Sequence, residues 1–283
     1  MLKSWRDERV AVEGFELAVH VTGSGPVVLV HPGGPGLGWE YLRLAVLEGS
    51  VTTVYLEPIG TGSSTRLADA GYSLDLDAAL VHGLIEKLGR GPVWLLGHSY
   101  GGFVALRCAL DHPEDLLGLV LYDTAPTNGP DFWDEAWRNL ARVIERHADQ
   151  PGIVGVKRLR DEPPADATDD DLAELVRDAL PAYFADYWGR KAEFGALGEA
   201  IRVYGSPFRH HGPPFDVRPD LPSIEVPILI IVGRHDFICP PRWSELMHAA
   251  IPGSQLVVLE QSGHFGHIEE PDAFAAAVAN FTR

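Results

Sequence analysis

Short apolar runs alternate along the chain with segments of helical period. Residues 15–21, 27–31, 51–56, 93–96, 117–122, 228–232 and 255–259 are rich in Val, Leu and Ile. Most lack the polar/apolar alternation of a half-exposed strand, so they read as strands covered on both faces. Between them, residues 74–88, 100–111, 242–250 and 272–281 carry apolar positions at helical spacing. Strand–helix alternation of this kind predicts an α/β fold: a mostly parallel sheet with helices on both faces.

The rhythm stops at residues 127–222. This stretch has no strand pattern and is helical, charged and rich in aromatics. Its Pro-rich parts, 161–167 and 206–222, predict loops. The expected organisation is therefore a core made of residues 1–126 and 223–283, with residues 127–222 as a helical cap over the end of the sheet.

Size and charge narrow the function. With 283 residues and 46% hydrophobic content, the chain can build one large core plus an insertion. A formal net charge of -17 argues against nucleic-acid binding and against adsorption to anionic membranes. No run approaches the length of a membrane span. The first ten residues alternate charge with apolar side chains and lack the apolar stretch of a signal peptide. Cys108 and Cys239 are the two cysteines and form no disulfide framework or metal spacing. A cytoplasmic location is expected, and no cofactor or metal.

One motif carries specific chemistry. Gly97-His98-Ser99-Tyr100-Gly101 follows a predicted strand and opens a predicted helix. That is the G-x-S-x-G pattern in its required context, where a sharp turn leaves no room for side chains at the glycines and projects the serine hydroxyl above the sheet. The helix N-terminus behind it favours a developing anion. An ordinary Gly-rich turn is the bland alternative, and the strand and helix flanking the motif speak against it. Gly102 reads as a site of close helix packing.

Serine needs a base, and in this order of elements the base follows a late strand. His264, in the loop after residues 255–259, is the candidate. His267 is its rival, with packing or loop hydrogen bonding as its expected role. The acid that orients the base should end an earlier strand. Asp236, after 228–232, is favoured, and Asp123, after 117–122, is the alternative. Two backbone amides must stabilise the oxyanion. Tyr100 supplies one, and the loop His31-Pro32-Gly33-Gly34-Pro35-Gly36 supplies the other, at Gly34. Glu57–Ser64 lacks the lysine of a phosphate loop and reads as a structural turn. Tyr183, Phe184, Tyr187 and Trp188 share one face if the segment is a continuous helix, packing on the core or lining the pocket.

Gly33–Gly36, the Glu57–Ser64 turn, Gly97–Gly102 and the surroundings of Asp236 and His264 together resemble the α/β-hydrolase superfamily over nearly the full length. Within it they resemble the prolyl aminopeptidase (proline iminopeptidase) group of serine peptidases. That resemblance implies an α/β-hydrolase fold, a helical cap, and hydrolysis of an N-terminal proline or other residue, with cap carboxylates binding the free amine. Glu174, Glu193 and Glu199 are the candidates for that role, and Gly33, Tyr187 and Trp188 for further substrate contacts. Two departures stand out. Pro32 replaces the histidine that usually precedes the glycines, and the turn begins Glu57-Pro58-Ile59 instead of Asp-Gln-Arg. Relatives with this motif set also hydrolyse esters or lactones, which gives the alternative: an esterase or lactonase for a small apolar acyl substrate. Relatives with dehalogenase or epoxide-hydrolase chemistry carry a carboxylate where Ser99 stands. A small molecule or short peptide is the expected partner.

Overall fold

The computed structural model describes residues 5–68, 71–161, 163–209 and 212–283. Its first half runs β1 (Arg6–Val12), β2 (Phe15–Gly23), β3 (Val27–His31), β4 (Thr52–Glu57), α1 (Leu74–Leu88), β5 (Val93–His98), α2 (Tyr100–Asp111) and β6 (Leu116–Tyr122). Six helices follow: α3 (Pro130–Arg146), α4 (Ile153–Arg158), α5 (Asp169–Ala179), α6 (Tyr187–Arg190), α7 (Gly195–Ala200) and α8 (Gly205–Arg209). The chain ends with β7 (Ile228–Gly233), α9 (Pro241–Ala250), β8 (Gln255–Leu259), α10 (Gly266–Glu269) and α11 (Pro271–Phe281).

The strands form one eight-stranded sheet of order β1-β2-β4-β3-β5-β6-β7-β8. Only β1 and β2 run antiparallel to their neighbours; β4, β3, β5, β6, β7 and β8 pair in parallel. β4 and β7 are buried at every position, which is why their sequences show no alternation. β1 is the strand that the apolar pattern misses. It is an edge strand whose first four residues are all charged and are followed by Val10-Ala11-Val12, and only Val12 is fully buried.

Two apolar clusters sandwich the sheet. On one face α1, α2 and α9 press Leu84, Val104, Trp243 and Met247 onto it. On the other, Phe274 and Val278 of α11 pack with Tyr122, Leu96 and Ile231. Local signals set the helix ends. Ser73 caps α1 by accepting from Leu76 N, and Gly89 closes it in the left-handed region at φ +60°. Thr168 and Asp171 form a capping box on α5.

Among the described residues between β6 and β7, helices alternate with loops, and the β-structure there is confined to isolated bridges at Thr127, Val203 and Asp216. The loops predicted from Pro content hold with two exceptions: residues 221–222 belong to the 3-10 turn Leu221–Ser223, and residues 206–209 belong to α8. Pro207 lies in its first turn, where the missing N–H has no intrahelical partner. Glu162, His210 and His211 of those stretches lie outside the described residues. The predicted helix through Tyr183–Trp188 is broken instead. A 3-10 turn ends at Ala182, and Asp186 starts α6 by accepting from Gly189 N. Among the described residues, no helix is long and apolar enough to cross a membrane.

Candidate active site

Ser99 stands in the turn between β5 and α2 at φ +54°, a conformation rare for a side-chain-bearing residue. The surroundings over-determine it. Ser99 N donates to Tyr122 O at 2.9 Å, and Ser99 O accepts from Thr124 Oγ1 at 2.7 Å. A Cβ on Gly97 would lie 2.1 Å from Gly101 O, and one on Gly101 would lie 2.4 Å from His31 O. Both glycines are thus required by close backbone approach. Gly102 meets the same limit against Thr124, as its packing role predicts.

His264 follows β8 and is buried. Its Nδ1 donates to Asp236 Oδ2 at 2.7 Å, leaving Nε2 as the acceptor nitrogen. Asp236 Oδ1 accepts from Ile238 N at 2.9 Å and Cys239 N at 3.0 Å. Asp123 lies close by but is held differently. Its Oδ1 accepts from Gly233 N at 2.8 Å, and its Oδ2, buried, has no hydrogen-bond partner among the described residues. Burial, with the nearby Asp236 charge, pushes its carboxyl well above the usual range, so it is held neutral. His267 is spent elsewhere, bonding Tyr122 OH through Nδ1 at 2.9 Å and Tyr41 O through Nε2 at 3.0 Å.

A hydrogen-bond chain fixes the glycine loop after β3. His98 Nε2 donates to His264 O at 3.0 Å, so its Nδ1 accepts from Tyr41 OH at 2.8 Å. Tyr41 in turn accepts from Gly33 N at 2.6 Å. Burial, with His264 and His267 nearby, keeps His98 neutral. The Gly33 amide is therefore occupied. The amides of Gly34 and Tyr100 have no acceptor among the described residues, and they can turn to a developing oxyanion. Gly33 must stay small, because a Cβ there would lie 3.0 Å from Ser99 Cβ. Tyr41 carries no sequence signal, and for His98 its place inside the serine motif is the signal while its hydrogen-bonding role is not legible there.

Ser99, His264, Gly33 and Gly34 line one cavity of about 240 Å³. Its other walls are mostly apolar: Leu37, Leu159, Val176, Leu180, Ile201, Phe208, Phe237 and Phe265, with Trp133 and Trp137 of α3. Tyr183 lines it too. Three candidates do not reach it. Glu193 is exposed and pairs with Arg190 at 2.8 Å. Tyr187 packs against Phe184 and Phe194, while Trp188 stacks on His147 and donates to Pro151 O. The helix break at Asp186 turns both rings away. Glu174 and Glu199 are likewise exposed and off the cavity wall. Asp161, itself exposed, is the one carboxylate among the described lining residues, and none of these is Lys or Arg. Glu57 closes the structural turn with His20 at 2.9 Å and Ser64.

The comparisons agree with this architecture. A 2-hydroxymuconate semialdehyde hydrolase of Pseudomonas sp. is 29% identical over 96% of this chain and 92% of its own. A 2-hydroxy-6-oxononadienedioate/2-hydroxy-6-oxononatrienedioate hydrolase of Klebsiella pneumoniae is 26% identical over 95% and 92%. Among solved structures, the enol-lactonase of Burkholderia xenovorans superposes with a TM-score of 0.73 at 21% identity, over 97% of this chain and 99% of that one. The proline iminopeptidase of Mycobacterium smegmatis gives 0.72 at 21% identity, over 98% and 97%. The peptidase is thus one neighbour of the fold, and these curated relatives are hydrolases of other substrates. Residues 26–271 match the family model for the alpha/beta hydrolase fold, and on that match and its sheet the chain belongs to the alpha/beta hydrolase family.

Proposed function

We propose that this hydrolase cleaves neutral esters or lactones with a small apolar acyl group, using Ser99 as nucleophile, His264 as base and Asp236 as the orienting acid. Ser99 Oγ attacks the carbonyl carbon as His264 Nε2 takes its proton. The amides of Gly34 and Tyr100 stabilise the oxyanion. His264 then protonates the departing alkoxide and next activates the water that frees Ser99. Residues 127–222 act as the cap that supplies the apolar walls.

The observation that carries the substrate class is the lining itself. An aminopeptidase must hold a buried ammonium, which needs carboxylate partners. Glu174, Glu193 and Glu199 face solvent, and Asp161 lies at an exposed edge of the cavity. The relatives' named dioate substrates are anions, and the described lining offers no cationic side chain to meet one. A neutral apolar acyl group fits both facts.

The test is a panel of p-nitrophenyl butyrate, a γ-lactone, proline and alanine p-nitroanilides, and a ring-cleavage dienedioate. The ester or lactone should give the highest kcat/KM, and Ser99→Ala should reduce it by ~10⁶. Faster turnover of a free-amine anilide, lost on N-acetylation, would restore the peptidase. Fastest turnover of the dienedioate would assign carbon–carbon bond hydrolysis.

A further inference from the structure

The loop that carries His264 is fastened to the helical segment as well as to the sheet. His264 N donates to Tyr183 O at 2.7 Å. One residue earlier, Gly263 N donates to Glu269 Oε2 at 2.6 Å. The other oxygen of the same carboxylate accepts from Ala185 N at 2.9 Å. The two stretches of backbone touch: a Cβ on Gly263 would lie 2.3 Å from Tyr183 O. Arg190 Nη2 adds a hydrogen bond to Glu269 O at 3.1 Å. Glu269 is only 4% exposed, and the mechanism above makes no use of it.

We propose that Glu269 is a positioning residue whose carboxylate, bridging Gly263 and Ala185, locks the His264 loop to the Tyr183–Ala185 turn, so that the base keeps its working place only while that turn is seated. This rests on reading His264 as the base. The chemistry of the bridge explains why a carboxylate stands here. Two backbone N–H groups from different segments converge on one side chain, and a carboxylate accepts through both of its oxygens. Burial pushes this carboxyl up to about 7 against the pull of those two amides, so the fully ionised bridge belongs to pH above that value. Glutamine would aim an NH₂ donor at one of the two amides. The link also reaches the cavity, because the Tyr183 ring lines it 5.5 Å from the His264 ring. A substrate pressing on Tyr183 therefore presses on the turn that holds the base.

The experiment compares wild type with Glu269→Gln. Competent sites are counted with a phosphonate that adds to Ser99, so that kcat is expressed per site. A misplaced base costs rate and leaves ground-state binding alone, so kcat per site should fall at least ~10-fold with KM little changed. Hydrogen exchange should speed up together at the amides of residues 185, 263 and 264, with β5 and β6 still protected. Ala185→Pro deletes one bridged N–H and should mimic the effect. Combined with Glu269→Gln, it should cost less than the product of the two losses, since both break one bond. Should Glu269→Gln not fold, Ala185→Pro carries the same readouts. An unchanged kcat per site, or a lower one with the three amides still protected, overturns the proposal. If Ser99→Ala is inactive while Glu269→Gln is unimpaired, the clamp alone fails. If Ser99→Ala keeps turnover, the catalytic reading fails and the clamp with it.

Discussion

Two carboxyl groups are buried beside His264, and their hydrogen bonds give them different tasks. Asp236 accepts from the His264 ring and from the amides of Ile238 and Cys239. Asp123 accepts from Gly233 N alone and carries a left-handed backbone at φ +45°. Two charges in one dry pocket repel, so the proton resides on the group with fewer donors, Asp123. Asp236→Asn should lower kcat on an ester by ~10⁴, because the imidazole then adopts the wrong tautomer. Asp123→Asn, which replaces a neutral group with a neutral one, should cost less than ~10-fold. Steady-state kinetics of the two variants decides, and the reverse order would move the acid to Asp123.

Among elements, the junction of α1 and α2 has a stability that depends on protonation. Tyr100, the first residue of α2, donates its hydroxyl to Asp77 Oδ2 of α1 at 2.7 Å. Burial raises the Asp77 carboxyl from 3.8 to about 7. Between those values the folded chain keeps a proton that the unfolded chain has lost. Raising the pH through that window therefore costs stability, and acid conditions favour the junction. Asp77→Asn removes the titration while keeping an acceptor for Tyr100. Relative to this variant, wild type should lose up to ~1.4 kcal/mol per pH unit in the middle of the window. Urea midpoints of both proteins at pH 4.5 and pH 7 measure it. A difference that does not move with pH would show that Asp77 stays charged throughout.

At the scale of the whole molecule, charge and cavity act together on substrate choice. The chain carries a net charge of -17, and the charged group described at the cavity wall is Asp161. An acyl chain ending in a carboxylate meets that charge with no described cation to offset it. Asp161→Asn should raise kcat/KM about 5-fold for such an anionic ester, the equivalent of ~1 kcal/mol of repulsion a few ångströms away in water. The neutral butyrate should change less than ~2-fold, because its ground and transition states place no charge near residue 161. An equal gain for both esters would mean that the substitution acts by widening the entrance.

What the sequence determined by itself is whatever neighbours along the chain dictate. Unalternated apolar runs mark strands buried on both sides, and Gly97-His98-Ser99-Tyr100-Gly101 marks the elbow because only glycine fits where Gly101 O and His31 O close in. The positions of Ser99, Asp236 and His264 after β5, β7 and β8 were legible because the apolar runs mark where those strands end. Edge strand β1 was not, since its charges face solvent and hide the short apolar alternation. The tertiary structure decided the rest, through contacts between residues far apart in the chain. Tyr41 reaches His98 and Gly33 and so occupies the Gly33 amide. Asp186 breaks the helix on which Tyr187 and Trp188 were expected to pack on the core or line the pocket. Glu269 joins Ala185 to Gly263 across 84 and 6 positions of sequence. No local pattern records such pairs, because a hydrogen bond depends on where the backbone brings two groups, and periodicity reports only which face is apolar.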